Sequence, residues 1–532
     1  MMKKLILAIF LVIISVSSNA DTLYMGSGET YTTLQSAMAA MSSGDTLIVR
    51  PGTYSGTSNV INATYHPPIG VSTSEYTTIR AESPGTVFFD GENTRCMFDI
   101  PGQAGGYSWL NYWKFENIVW IRGSADGGVS ITNGDSSDFT TGDNASALTT
   151  YVYFKSCGSH SEATSFYFAH LNYVLLEDCW GWGNGRYGID PYIVDKLVAR
   201  RHVDRRDAVS TSASYPCSSY MNYASHDVSY QNCIAIDVSS PSFTADVASF
   251  GAFYIRNSYE GRVSANTSIL GCIVYNYDST YSGYTADPVK YAGVYIQTNP
   301  TGTTIRNMVI CGSSNGIISN TSSPVTIDHT SVLSANYNPS FQNYAFRDLT
   351  YGDYVTVTNS CAVNNTYLTA FASMGANSDY NGAYGNSVNT MVDGTHNITS
   401  DPELLYPFRV ETGSSYEGVA SDSGDIGATI LYEYGVDGTY HGETGWDTLT
   451  SNQLWPYDNQ TVIRTTMSAD YGTTDETRGF CATGENLQDY LWEALGNTVP
   501  DDIYGDSPGD GNHSLGSGTG VLINSGAGFI LQ

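Results

Sequence analysis

Apolar and polar residues alternate along most of this chain, and single short polar residues interrupt the alternation at intervals. The segments YWKFENIVWIRGS (112–124), YVYFKSCGSHS (151–161), YVLLEDCWGWG (173–183), DVSYQNCIAID (227–237), TTIRNMVICGSS (303–314), VTIDHTSVLSAN (325–336) and VTVTNSCAV (355–363) share this grammar. Apolar residues sit at alternate positions, as in Trp113/Phe115, Val152/Phe154, Val174/Leu176, Val228/Tyr230 and Val325/Ile327. A polar residue follows two positions later: Asn117, Ser156, Asp178, Asn232, Asn307, His329 or Asn359. Alternation predicts strands with one buried face. The recurring Asn, Asp or Ser predicts a bend, because such side chains hydrogen-bond locally and tolerate unusual backbone angles. Successive bends lie 39, 22, 54 (with Arg201 between), 75, 22 and 30 residues apart. The shortest step suits one coil of a solenoid, and the longer ones suit coils with loops or two coils. A coil buries its apolar face only by stacking on another. Cys157, Cys179 and Cys233 directly follow bends, so they are expected to stack as small buried fillers. They are expected to be unlinked, since parallel in-register side chains point the same way.

The repeat begins differently. In YTTLQSAMAAMSSGDTLIVRPGTYSG (31–56), Leu34, Ala37, Met38 and Met41 predict a helix with one apolar face. Gly44-Asp45 ends it, Thr46 to Arg50 begins a strand, and Pro51-Gly52 turns the chain. A solenoid needs a cap on its open end, and this helix is expected to plug the first coil. The helix, the run GDTLIVRPGTY and the repeated bends together resemble the right-handed parallel β-helix proteins of the pectin-lyase-like superfamily, over roughly residues 30–400. The resemblance implies an all-β, right-handed parallel β-helix. It does not choose among the lyases, hydrolases, epimerases, tailspikes and adhesins that share the fold.

The expected organisation is a signal peptide at 1–20, the cap and first strand at 21–55, the solenoid at 56–400, a C-terminal extension at 401–500 and a flexible tail at 501–532. Lys3 and Lys4, the apolar run Leu5 to Val16, and Ser18-Asn19-Ala20 have the form of a secretory signal, predicting a secreted, extracellular or periplasmic protein. The extension is aromatic and acidic and is expected to pack on or cap the solenoid. Leu487, Tyr490, Leu491, Ala494 and Leu495 predict one helix in it, stopped by Gly496 and Pro500. No later segment is apolar enough for a transmembrane helix. Lys plus Arg total 22 against 52 Asp plus Glu, a net charge of −30 that argues against nucleic acid and anionic membranes as partners. The same excess would suit Ca²⁺, but no EF-hand or RTX repeat occurs and no metal ligands are assigned. The nine Cys are odd in number, widely spaced and without a Cys-x-x-Cys pair, so buried free thiols are expected over a disulfide framework.

One coil departs from the grammar. In KLVARRHVDRRDA (196–208) the bend holds Arg201-His202, and Lys196, Arg200, Arg201, Arg205 and Arg206 are interleaved with Asp204 and Asp207. Two readings stand open: a salt-bridged ladder, or a site for an anionic substrate. Trp180, Trp182, Arg186, Tyr187, Asp190 and Asp237 in adjacent coils favour the second. Aromatic faces stack on sugar rings, and Arg pairs bidentately with a uronate carboxylate. Cleaving a uronic-acid glycan by β-elimination needs charge neutralisation, a base and an acid. The candidate catalytic residues are Arg201, His202, Arg205 and Arg206; the candidate substrate contacts are Trp182, Arg186, Tyr187, Asp207 and Asp237. Alternation predicts Arg206 pointing outward and Arg205 into the solenoid. Hydrolysis would need two facing carboxylates, drawn from Asp190, Asp204, Asp207 and Asp237, but the Asn-Thr-Asp-Gly run of β-helix polygalacturonases is absent. Val325 to His329 is similar to a pectate-lyase phrase but also fits the bend grammar, with His329 at the bend, and is read as structural. The favoured reading is a polysaccharide lyase acting on an acidic glycan. A non-catalytic adhesin or structural β-helix protein, and a glycoside hydrolase, are the alternatives.

Overall fold

The computed structural model describes residues 20–503, except 104–105, 125–126, 135–149, 208–216, 239–250, 257–261, 278–291, 298–299, 335–342, 351, 366–367, 392 and 473–476. The expected signal peptide and tail lie outside the described residues, save Ala20 and Asp501 to Ile503.

The chain winds through three parallel sheets in the cyclic order A, B, C. Among the described residues, sheets A and B have twelve strands each and sheet C has eleven. One coil runs through Val152–Lys155 in A, Gly158–Ser161 in B and Thr164–Ala169 in C. Each strand pairs with its counterparts one coil before and after, giving a right-handed parallel β-helix.

The A-to-B bends fall on the residues that the pattern marked. Asn117, Ser156, Asp178, Arg201, Asn232, Asn307, His329 and Asn359 all have left-handed φ, from +45° at His329 to +61° at Asn117. Gly271, at φ +64°, makes the same bend in a coil that the pattern missed. Glycine adopts this conformation without a side-chain signature, which accounts for the 75-residue step.

Each left-handed residue also shifts the alternation by one. Before the bend, Leu197 and Ala199 face the lumen. After it, His202 points inward, edge-on to Phe166 and Tyr220 at ring distances of 5.7 and 5.6 Å, while Val203 joins an outer cluster. A one-residue shift exchanges the faces of a strand. Arg205 therefore lies outside the lumen, in a column with His160, Trp182 and Ile236 on sheet B. The expected inward Arg205 is thus corrected. The expected outward Arg206 is corrected too: it is buried and donates to Tyr277 Oη, of the luminal core, at 3.4 Å.

The lumen is filled by stacked side chains such as Phe98, Phe115 and Phe154, whose successive ring centroids are 5.0 and 5.2 Å apart. Cys157, Cys179 and Cys233 are buried and free at the bends, and Cys272 continues the column. Helix α1 (Leu34–Met38) buries Leu34, Ala37 and Met38 on the first coil, with Leu34 N donating to Asn59 Oδ1 at 2.9 Å. A short strand, Thr22–Met25, precedes the cap and pairs with Thr46–Val49, so sheet A starts earlier than the pattern indicated.

Residues 401–503 pack over the outer face of sheet B. Leu454, Trp455, Ile463, Phe480, Leu487, Leu491 and Trp492 meet Trp180, Trp182, Val203, Ile234 and Ile273. Helix α3 (Leu487–Trp492) answers the predicted periodicity, and helix α2 (Gln460–Met467) is present as well. Its apolar side is only Ile463 and Met467 in a Thr-rich stretch, too weak a pattern to read.

These contacts leave sheet C as the variable side. The A-to-B links are short throughout, most of them two residues. The links into sheet C include 206–217, 239–250 and 278–291, and the link 133–151 leaves it. Connections of variable length on a rigid scaffold are where binding and catalytic groups concentrate.

Candidate functional site

The basic coil is built into the protein interior. Arg200 pairs with Glu177 at 2.6 Å and donates to Thr439 O and Trp446 O at 2.9 and 2.7 Å. Arg201 pairs with Asp178 at 2.5 Å and Asp437 at 2.7 Å. Burial opposes its charge, yet these carboxylates hold the guanidinium well above its ordinary pKa. Arg205 pairs with Asp207 and Asp237 and donates to Arg478 O at 2.7 Å. Asp237 further accepts from Asn276 Nδ2 at 2.7 Å, Phe480 N at 2.8 Å and Tyr490 Oη. His202 stands in the cysteine column, and burial pushes its pKa down to about 3, so it stays neutral. Trp182 is covered by the extension and lies beside Tyr471. Of the nine predicted site residues, Arg201, His202, Arg205, Arg206, Trp182, Tyr187, Asp207 and Asp237 are buried, and Arg186 is part-exposed. The coil therefore clamps the extension to sheet B, with Arg200, Arg201 and Arg205 matched to carboxylates. Arg201 and Arg205 are engaged by carboxylates beneath the extension, and His202 lies in the lumen. The four aspartates considered for hydrolysis are dispersed too: Asp204 in the lumen, Asp207 and Asp237 under the extension, and Asp190 on sheet C.

Arg186, Tyr187 and Asp190 belong to a different surface, the outer face of sheet C. Inward residues Tyr220, Phe253, Val294, Ile317 and Phe346 fix the alternation there. The intervening residues form two outward columns. One runs Tyr167, Asp190, Met221, Tyr254, Tyr295, Ile318, Arg347. The other runs Tyr192, Tyr223, Arg256, Gln297, Asn320. Tyr254 and Tyr295 stack at 5.4 Å, and Tyr192 and Tyr223 lie 5.2 Å apart. Three arginines lie over tyrosine rings on this side: Arg186 over Tyr187 at 4.8 Å, Arg256 over Tyr223 at 4.9 Å and Arg347 over Tyr344 at 4.0 Å. By contrast, one column of sheet A is Ser and Thr, Ser229, Ser268, Thr304, Thr326, Thr356, and the charges of the column beside it pair with each other, as Arg306 does with Asp328.

Asp190 is the exceptional residue of this face. Its carboxyl is 5% exposed, and Oδ1 has no hydrogen-bond partner. Burial raises its pKa to about 7, against the pull of Arg186. A buried carboxylate oxygen without a donor is rare in folded proteins and is a feature of reactive sites. Tyr187, held protonated by burial and by Asp190, is adjacent. Among the described residues, no group of three or more His, Cys, Asp or Glu side chains gathers to hold a cation.

Most of this face escaped the sequence reading. A signal was present: GAFYIR (251–256) and AGVYIQ (292–297) repeat one outward Tyr and one outward polar residue in register. The long intervening segments hid the repeat.

No protein-family profile matches the chain, and no curated protein resembles it in sequence. Among solved structures, a pectate lyase is similar at 14% identity over 78% of this chain and 96% of its own, with a TM-score of 0.40. A PL6-family polysaccharide lyase from Pseudopedobacter saltans is similar at 12% identity over 77% and 100%, with a TM-score of 0.35. A GH87 alpha-1,3-glucanase from Streptomyces thermodiastaticus is similar at 12% identity over 69% and 64%, with a TM-score of 0.40. These likenesses are of fold alone. No described helix is long and apolar enough to cross a membrane.

Proposed function

We propose that this is an exported polysaccharide lyase that cleaves an acidic, uronic-acid glycan by β-elimination on the outer face of sheet C. The observation that carries the reading is the juxtaposition of Arg186, Tyr187 and Asp190, whose Oδ1 accepts no hydrogen bond, on that face. In this reading Arg186 neutralises the uronate carboxylate. Asp190 removes the proton on the carbon bearing that carboxylate. The electrons form a ring double bond as the glycosidic C–O bond breaks, and Tyr187 donates its proton to the departing oxygen. A base with a pKa near the working pH is the efficient one. The tyrosine rings support the sugars. Hydrolysis is less well supported. The other described carboxylate in the Asp190 column, Asp99, stands three coils away, or about 14 Å at the spacing of neighbouring strands. That is wider than the roughly 6.5–9.5 Å of an inverting pair.

The test is a panel of polyuronides, read by ultraviolet absorbance of the unsaturated product. Asp190→Asn should lower kcat at least about a hundredfold without lowering thermal stability, since the raised carboxyl opposes folding once it ionises. In the wild type, kcat/KM should rise with pH through about 7 as Asp190 ionises. Undiminished elimination by Asp190→Asn would remove the assignment. Polymer binding without cleavage would favour the adhesin.

A further inference from the structure

The three arginine–tyrosine pairs are spaced along the solenoid axis. Arg186 enters the strand Tyr187–Tyr192, Arg256 ends Gly251–Arg256 two coils on, and Arg347 lies in Asn343–Asp348 three coils further. At the spacing of neighbouring strands these steps are about 10 Å and about 14 Å, so the row spans about 24 Å. Arg256 stands out within it. It is part-exposed, sits over the ring of Tyr223, and pairs with no described carboxylate. In a chain with 52 acidic residues, a part-exposed arginine on an aromatic strip that pairs with no described carboxylate is suited to an external anion. Gln297 and Asn320 continue its column with neutral hydrogen-bonding groups. Each element of the row thus offers a ring for a sugar face, a guanidinium for an anionic substituent, or both.

We infer that Arg256 with Tyr223, and Arg347 with Tyr344, are binding subsites for successive anionic sugars, so that the protein engages internal stretches of a polyanionic chain and discriminates by chain length. The inference rests on the proposed site at Arg186, Tyr187 and Asp190, and adds to it the reach and direction of the bound chain. Cleavage occurs at one end of the row, and the rest grips the polymer.

The experiment compares oligouronides of increasing length, from dimer upward, on the full chain and on Arg256→Gln and Arg347→Gln. Binding is measured by calorimetry and turnover by product absorbance. Wild-type kcat/KM should climb with length until the chain reaches Arg347. Arg256→Gln should lose roughly tenfold in affinity, the worth of one charge-assisted contact, on oligomers long enough to reach it and nothing on dimers. Arg347→Gln should show the same loss only on still longer oligomers. Equal losses at every length, or a wild type indifferent to length, would overturn the subsites while leaving the lyase reading intact. Length-dependent binding without cleavage would uphold the subsites and remove the lyase.

Discussion

At the scale of single residues, two aspartates on neighbouring coils show how placement decides behaviour. Asp190 faces outward, and Asp204 faces the lumen corner between sheets B and C. There Gly181 and Gly188 leave a gap; a Cβ on Gly188 would stand 2.2 Å from Asp204 Oδ1. Asn184 fills the space, donating to Asp204 Oδ1 at 2.8 Å and to Ser165 Oγ at 3.3 Å. Burial raises Asp204 to about 7, although Ser219, Asn184 and Arg206 oppose the rise. A carboxyl raised on folding stabilises the protein fully below its unfolded pKa of about 3.9. That contribution fades as pH rises through about 7. Asp204→Asn keeps the shape and removes the titration. The variant should therefore gain stability over wild type between about pH 5 and about pH 8, by up to about 4 kcal/mol. Thermal unfolding across that range checks it, and a difference independent of pH would refute it.

At the scale of elements, the basic coil belongs to the extension as much as to the solenoid. Arg200, Arg201 and Arg205 reach Thr439, Trp446, Asp437 and Arg478 across more than two hundred residues of sequence. Such charges are costly to bury singly, and removing one partner strands the others. Arg205→Met should cost about 3–5 kcal/mol by leaving Asp207 and Asp237 unpaired. It should also speed hydrogen exchange across 478–492. Adding Asp207→Asn and Asp237→Asn to it should recover much of the loss. If Arg205→Met were neutral, the clamp would be ornamental and the extension would be held by its apolar contacts alone.

At the scale of the whole molecule, the extension makes the solenoid one-sided. It covers Trp180, Trp182, Val203, Ile234, Ile273 and Val309 on sheet B, while the column of Ser and Thr on sheet A needs no cover. A chain ending at residue 400 would expose that apolar strip, far beyond the patch size that a soluble monomer tolerates. Truncation there should give aggregation or strong binding of an apolar dye, seen by light scattering and fluorescence. A soluble, dye-free monomer with native circular dichroism would show that the extension is dispensable to the fold.

The sequence by itself determined the coil. Its alternating strands, left-handed bends at Asn117 through Asn359, cysteine column and capping helix all follow from local patterns of period two or 3.6, which depend on immediate neighbours. The column His160, Trp182, Arg205, Ile236 stands four residues beyond the successive bends Ser156, Asp178, Arg201 and Asn232. Which way that column faces was decided only by tertiary structure, because the left-handed residue at each bend inverts the alternation beyond it. The fate of the basic coil was decided there too. Its carboxylate partners at 433–437 and its carbonyl acceptors at 439, 446 and 478 come from a distant segment, and no spacing rule connects them. The candidate site was legible in Arg186, Tyr187 and Asp190 but not in Tyr223, Arg256 and Arg347, since these become neighbours only when coils of unequal length stack about 4.8 Å apart.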